Sequence, residues 1–437
     1  MKKLNLLLML SLSIFTLISC NNKKEDNNNS TIISEIDEKY QLDDYIDNLI
    51  ERTPSYIPCW NQESYKGRWN YIDGVFLNSI IEYSNVKKDD KYKDFVKNYV
   101  NYYLDDNGNF LYVDKDTGEA STNGSFKQRE LDSYCESRIL FDLYDYTNDN
   151  RYKNAIDNSY GYLLNMPLCA NEINYWHKDT YRDQIFLDGF YMYVPFLSRY
   201  AKFEDDNLLF TMIIDQYTYI YNNMRDKKTG LYYQCMDTTK SIFWADPETG
   251  LSKSVWARGF GWLLMSLVDS IENFPKDKQS FLIKMLSEAV DSVYKYIDKD
   301  TNMFYQLIDK GNQSYLVSYD KYLKYLNNSY TSDTTISNYL ESSGSSMIAY
   351  TMMKAARLNY IDNKYLSLGK KSFEGICNHS FNKENNSLND ICITAGLGPE
   401  NKPYRDGTEE YYLAEKVGSN DAKGVGPFIT AYIEYIK

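Results

Sequence analysis

Asp188 stands in an apolar stretch, with Ile185, Phe186 and Leu187 before it and Phe190, Tyr191 and Met192 after it. A carboxylate among such neighbours loses solvation in its charged form, so its pKa rises. Under that condition a carboxyl keeps a proton for general-acid chemistry near neutral pH. His177, one of only two histidines in the chain, lies shortly upstream. The competing structural reading makes Asp188 the N-cap of a helix through Met192, Phe196 and Leu197, because Asp is a favoured cap.

Further constellations give Asp188 company. Trp60 and the run Gly67-Arg68-Trp69-Asn70-Tyr71-Ile72-Asp73-Gly74 place aromatic rings and a carboxylate at a loop-to-helix entry. There Asp73 is either a site residue or an N-cap. Asp132, within Glu130-Leu131-Asp132-Ser133, begins a helix that continues through Arg138, Leu140 and Leu143; an acid there also suits the helix dipole. The run Trp256-Ala257-Arg258-Gly259-Phe260-Gly261-Trp262 is hard to explain as packing, since a core has little use for an arginine between two tryptophans. Its glycines allow close approach, and Arg258 can grip a carboxylate with both arms of its fork. Glu341-Ser342-Ser343-Gly344-Ser345-Ser346 opens another helix but lacks the GxSxG nucleophile pattern, which argues against a Ser–His hydrolase. Gly407–Phe428 reads as a glycine-rich rim loop leading to a C-terminal helix.

The elements that must position these residues are helical. Among 437 residues there are only nine prolines. Leu264, Leu267, Val268 and Ile271 recur at helical spacing and Pro275 follows as a stop. The stretch around Ile348, Met352 and Ala355 is apolar on nearly every side, as expected of a helix buried on most faces. Three loop segments look alike: Asp106–Tyr112, Lys228–Gln234 and Asp300–Gln306. Their spacing fits a repeated helical hairpin, and the chain after residue 35 holds about six such units. Six hairpins close into an (α/α)6 barrel with loops at its mouth; an open helical solenoid is the alternative. Residues 36–437 show no break in composition and read as one domain.

The N-terminus carries an address. Lys2 and Lys3 precede the apolar run Leu4–Ile18, which ends in Leu17-Ile18-Ser19-Cys20. Residues 1–20 read as a lipoprotein signal peptide, with Cys20 as the lipidated residue, and 21–35 as a disordered polar tether. The expected location is the cell envelope, anchored to a membrane. The other cysteines, Cys59, Cys135, Cys169, Cys235, Cys377 and Cys392, form no CxxC, and two histidines supply no usual zinc set. No metal or cofactor is expected. Cys377 and Cys392 are open to pairing or to remaining buried thiols. A net charge of −13 argues against a nucleic-acid partner, and means that an acidic substrate must meet a local group of cations. The 44 tyrosines suit sugar stacking, but most fit a compositional bias shared with Asn, Lys and Ile.

Taken in order, WNYIDGVFL, the ELDS around Asp132, YWHKDTYRDQIFLDGFYM, WADPETG with WARGFGW, ESSGSSMIAY and NDAKGVGPF resemble the unsaturated rhamnogalacturonyl hydrolases of glycoside hydrolase family 105, over about residues 40–437. The related family 88 acts on unsaturated glucuronyl sugars. The resemblance implies an (α/α)6 barrel. It implies removal of a 4,5-unsaturated uronic acid from lyase-generated oligosaccharides, with unsaturated galacturonyl-rhamnose as the leading substrate. The chemistry is hydration of an enol ether, unlike the usual two-carboxylate glycosidase scheme. By motif, Asp188 corresponds to the catalytic acid/base, Asp132 to a second active-site aspartate and His177 to an active-site histidine. Trp256, Arg258 and Trp262 correspond to residues around the sugar. Arg258, with Lys178 second, is expected to meet the uronate carboxylate, and Trp69, Tyr71, Trp256 and Trp262 to stack on the ring. Asp73 and Gln234 complete the expected binding set. Two positions differ: Gln234 stands where some members have histidine, and Phe260 where asparagine is common. A glycan-capturing surface lipoprotein is the competing class, and a polysaccharide lyase a third. Oligomeric state is not legible.

Overall fold

The computed structural model describes residues 36–53, 67–114, 116–122 and 126–437. The signal peptide, Cys20, the tether, Cys59 and Trp60 lie outside the described residues. Fourteen helices carry the architecture, numbered here in chain order: α1 Leu42–Glu51, α2 Tyr71–Lys87, α3 Asp90–Asn101, α4 Tyr134–Ser137, α5 Ile139–Thr147, α6 Asn150–Leu163, α7 Leu187–Phe203, α8 Asn207–Asn223, α9 Ala257–Ile271, α10 Ser280–Val293, α11 Ser342–Arg357, α12 Lys364–His379, α13 Glu409–Ala414 and α14 Ala422–Ile436.

The inner ring closes. Helix α2 packs on α4, α4 on α7, α7 on α9, α9 on α11, α11 on α14, and α14 back on α2. Each inner helix is backed by the outer helix that follows it: α3 on α2, α6 on α5, α8 on α7, α10 on α9 and α12 on α11. The sixth outer position falls to α1, whose Tyr45 meets Phe428 of α14 edge-on at 6.4 Å. The architecture is an (α/α)6 barrel, as expected, and the solenoid alternative is excluded by the contact between first and last inner helices. Burial follows the layers: every residue of α9 and α14 is buried, whereas α3 buries only Tyr92, Val96, Tyr99 and Val100.

The repeated loops have a shared cause. Each turn is led by an aspartate whose carboxylate accepts backbone N–H groups: Asp105 from Asn107 and Asn109, Asp226 from Lys228 and Thr229, Asp298 from Thr301. Such side-chain-to-backbone bonds mimic a turn. The corresponding Gly108, Gly230 and Asn302 take φ of 80°, 79° and 60°, the left-handed region that glycine and asparagine tolerate. Two residues on, Phe110, Tyr232 and Phe304 drop into the core.

Small antiparallel ladders decorate the mouth at the N-terminal ends of the inner helices. Strand β1 (Gln184–Phe186) pairs with β2 (Cys235–Asp237), β3 (Ser314–Val317) with β4 (Thr334–Ser337), and β5 (Ile391–Cys392) with β6 (Val417–Gly418). Of the expected rim loop Gly407–Phe428, the last part is already helix: α14 begins at Ala422. Gly424 and Gly426 lie in the first turns of α14, where a Cβ would sit 2.6 Å from Ile391 and from Val75. These glycines buy close packing, not loop geometry. Cys377 and Cys392 are separate buried free thiols, as are Cys135, Cys169 and Cys235. Among the described residues no helix is long and apolar enough to cross a membrane, and no group of His, Cys, Asp or Glu is arranged to hold a metal ion.

Candidate active site

The inner helices open at one mouth onto a cavity lined by residues drawn from nearly the whole length of the chain. Tyr71 comes from the start of α2, Asp132 from the turn before α4, Asp188 and Met192 from α7, Arg258 and Trp262 from α9, and Lys423 from α14. His177, Lys178, Gln234, Trp256 and Arg405 arrive on the connecting loops and ladders. Convergence at one end follows from the barrel: first-turn residues of α2, α7, α9 and α14 meet there.

Asp188 is the second residue of α7 and does not cap it; Phe186 occupies the N-cap position with no side-chain bond. Its Oδ2 is buried without a hydrogen-bond partner. Burial raises its pKa, with His177 and Arg258 pulling partly the other way. Gly189 makes room beside it, because a Cβ there would lie 3.0 Å from His177 Nδ1. Gly259 does the same from α9, where a Cβ would lie 3.6 Å from Asp188 Oδ2 and 3.3 Å from Gln234 Cγ.

Asp132 is the opposite case. Lys178 Nζ donates to its Oδ2 at 2.7 Å, and His177 Nε2 lies 3.2 Å from Oδ1. Burial opposes its ionisation, but Lys178 and His177 outweigh that and hold the carboxyl far below the usual range. One cavity thus holds an acid whose pKa is pushed up by burial and an acid whose pKa is pulled down by its cations, the kind of separation that divides proton donor from anion. Unpartnered buried polar atoms concentrate here as well: Asp188 Oδ2, His177 Nδ1, Gln234 Nε2 and Arg405 Nε. Buried polar groups are ordinarily paired, so such a concentration marks a place made for a polar ligand.

The expected residues divide. Tyr71, Asp132, His177, Lys178, Asp188, Gln234, Trp256, Arg258 and Trp262 line the cavity together. Trp69 and Asp73 are not among the lining residues. Trp69 is fully buried, with its indole N–H on Ser137 Oγ at 2.9 Å and its ring against Phe110. Asp73 accepts from Asn70 Nδ2 at 2.8 Å, and Asn70, not Asp73, caps α2. Two cations are less free than expected. Lys178 is held by Asp132, and Arg258 Nη1 is bound to Ser343 Oγ and the Cys392 carbonyl, with its guanidinium 4.7 Å over the Trp256 ring. Trp262 stacks on Tyr191 at 4.7 Å. The structure adds Tyr181, Phe186, Arg405 and Lys423 to the lining. Lys423 lay within the NDAKGVGPF motif and the i+2 position after a cap aspartate could have singled it out; Arg405 had no local signal.

Lys178, Arg258, Arg405 and Lys423 ring the cavity of a chain whose net charge is −13, so the cavity is locally suited to an anion. Residues 45–319 and 321–437 match the model of Glycosyl Hydrolase Family 88. The chain belongs to that family. It is a glycoside hydrolase, and its substrate is an oligosaccharide. A family 105 glycoside hydrolase from C. acetobutylicum ATCC 824 is 30% identical, with a TM-score of 0.74 over 90% of this chain and 98% of the other. A family 88 glycosyl hydrolase from Bacteroides vulgatus shares the fold at a TM-score of 0.61 and 15% identity, over 91% of this chain and 98% of that one. Protein Atu3128 of Agrobacterium fabrum is 32% identical over 212 residues, covering 47% of the hydrolase and 82% of that protein.

Proposed function

We propose that this hydrolase removes a 4,5-unsaturated uronic acid from the non-reducing end of oligosaccharides released by polysaccharide lyases, with unsaturated galacturonyl-rhamnose as the leading substrate. The observation that carries the reading is the pair of carboxyls in one cationic cavity, Asp188 with its pKa raised and Asp132 held ionised. An enol ether is electron-rich at C4. Protonated Asp188 delivers its proton to C4, leaving positive charge at C5 shared with the ring oxygen. The Asp188 carboxylate then takes a proton from water as the water oxygen bonds to C5. The resulting hemiketal opens to a C5 ketone, and the C1 hemiacetal collapses to an aldehyde as the remaining saccharide leaves with its oxygen and a proton. Asp132, fixed by Lys178 and His177, stays an acceptor throughout and orients the substrate. The cations at Arg258, Arg405 and Lys423 attract the uronate, and Trp256 and Trp262 offer ring faces to the flat sugar.

Ultraviolet absorbance of the C4=C5 uronate tests the reading directly. Wild-type protein is expected to abolish the signal of a pectin-derived or glycosaminoglycan-derived disaccharide, and Asp188→Asn to leave it. Persistence of every disaccharide's signal with wild-type protein refutes the reading; equal loss with the variant assigns the proton to another group. We also propose that Cys20 carries a lipid anchor at the cell envelope. Labelled fatty acid should enter the wild-type protein in bacterial cells and not Cys20→Ser.

A further inference from the structure

Gln234 lines the cavity, and its surroundings show how an amide is held beside the acid. The backbone places it against the acid. Its carbonyl accepts the N–H of Leu187 at 3.0 Å, and the β1–β2 register sets Phe186 opposite Cys235. Gly259 lies close to both side chains: a Cβ there would sit 3.3 Å from Gln234 Cγ and 3.6 Å from Asp188 Oδ2. The amide is fully buried. Its Oε1 accepts a short hydrogen bond from the Tyr412 hydroxyl, and its Nε2 has no partner.

Tyr412 is itself fixed. It lies on α13, a short helix outside the inner ring, and is completely buried. Its ring lies 6.2 Å from that of Trp256 and 5.0 Å from that of Tyr411. Gln306 ties the arrangement together, accepting from Trp256 Nε1 at 3.2 Å and donating from Nε2 to the Tyr412 carbonyl at 3.5 Å. A terminal amide is otherwise free to turn over, exchanging a donor for an acceptor.

We propose that Tyr412 is a positioning residue for the reaction: its hydroxyl holds the Gln234 amide with the oxygen turned away and the N–H₂ turned toward the uronate beside Asp188. The reverse orientation sets a carbonyl oxygen against the Asp188 carboxyl and an anionic sugar, and it leaves the Tyr412 proton without its acceptor. Burial, reinforced by the nearby Asp188, also keeps the Tyr412 phenol protonated, so it remains a donor at every working pH. The held N–H₂ makes a charge-assisted bond to a uronate oxygen. A donor made in both ground and transition states acts on binding, so its loss appears in KM more than in kcat.

The inference rests on the hydration reading above, and the test separates the two. Steady-state kinetics on the unsaturated uronide that wild-type protein consumes would compare Tyr412→Phe, Gln234→Met, the double variant and Gln234→Glu, with melting curves for each. Tyr412→Phe and Gln234→Met are each expected to raise KM about ten-fold with kcat within about two-fold, and the double variant to be no worse than Gln234→Met alone, because neighbours acting through one contact are not additive. Gln234→Glu keeps an acceptor for Tyr412 but shows the pocket only oxygen, and is expected to raise KM further than Gln234→Met. Additive losses, an unchanged KM in Tyr412→Phe, or a wild-type KM in Gln234→Glu each overturn the role of Tyr412. Should Tyr412→Phe fail to fold, Gln234→Glu alone decides the orientation. A wild-type protein that consumes no unsaturated uronide overturns the functional reading itself, and this inference with it.

Discussion

The barrel buries an aspartate near each end of its inner helices, and the two are treated in opposite ways. At the far end, Asp269 of α9 accepts bonds from Arg138 Nη2 at 3.1 Å, Lys354 Nζ at 2.9 Å and the Tyr350 hydroxyl at 2.5 Å. Burial works against its charge, but Lys354 and Arg138 outweigh it and hold its pKa below the ordinary range. At the mouth, Asp188 has Oδ2 unpartnered and its pKa raised. Depth alone therefore does not make a functional acid. Asp269 is the more thoroughly satisfied of the two and serves to clamp α9, α11 and the α4–α5 junction. Asp188 is left short of partners, which is the state of a group kept for a ligand.

Removing each carboxylate should invert the pattern of loss. Asp188→Asn is expected to lower kcat about 1,000-fold, within the range measured for general acid–base groups, while the melting temperature holds or rises because no native hydrogen bond to Oδ2 is lost. Rate and melting measured on one preparation check both halves. A large fall in melting temperature would mean that Asp188 is a structural acid after all.

Asp269→Asn should do the reverse. It leaves Lys354 and Arg138 without their shared counter-charge, and breaking a buried ion pair from one side costs roughly 3–5 kcal/mol. Denaturant unfolding should show that loss, and the fraction still folded should keep its kcat. The pH sign also differs from that at the mouth. The lowered pKa of Asp269 contributes stability above the unfolded value of about 3.9, and that contribution is lost as pH falls toward its folded value.

Glu415, just behind Arg405, sharpens the contrast with a raised acid that is partnered. Burial pushes its pKa up to about 7, although Arg405 and the Tyr411 hydroxyl draw it down. Arg405 Nη2 lies 3.2 Å from Oε1, and Tyr411 donates to the same oxygen at 2.9 Å. A folded pKa above the unfolded one, about 4.3, gives stability that is complete below that value and lost as pH rises through about 7. Glu415→Gln should therefore flatten the pH–stability curve over that window, by up to about 3 kcal/mol. Unfolding free energies measured along the window check it; an unchanged slope places the titration elsewhere.

Much of this was legible from local pattern. Helical periodicity and the look-alike segments Asp106–Tyr112, Lys228–Gln234 and Asp300–Gln306 pointed to the layers, because both are set within a few residues. The apolar setting of Asp188 and the Trp–Arg–Trp run gave the core of the site for the same reason. What failed was depth. Trp69 and Tyr71 flank Asn70 in sequence, yet the first packs into the wall and the second lines the cavity, since residues so close together at a helix start can point in different directions. Asp73 was misplaced because a cap and a ligand look alike until Asn70 is seen to hold the cap. Arg405, Tyr412 and Glu415 reach the site only by long-range closure of the C-terminal segment, and nothing in their immediate neighbours announces it.

The smallest effect concerns how Asp132 is kept ionised. Its lowered pKa is a balance: burial is the largest influence and pushes upward, and Lys178 and then His177 pull it down. Lys178 is itself shared, lying 2.7 Å from Asp132 and 3.7 Å from Glu130. Replacing it with methionine keeps much of the stem's packing and removes the larger of the two downward influences. Asp132 should then titrate on the acid side of neutrality, where in the wild type it stays charged. The variant is expected to lose less than ten-fold in kcat/KM at neutral pH, with a new decline as pH falls, while the alkaline limb set by deprotonation of Asp188 stays in place. A pH–rate profile of both proteins reads the two limbs separately. If Lys178→Met lowers activity equally at every pH, Lys178 acts by holding substrate and not by holding the charge on Asp132. The charge on Asp132 would then be owed to His177.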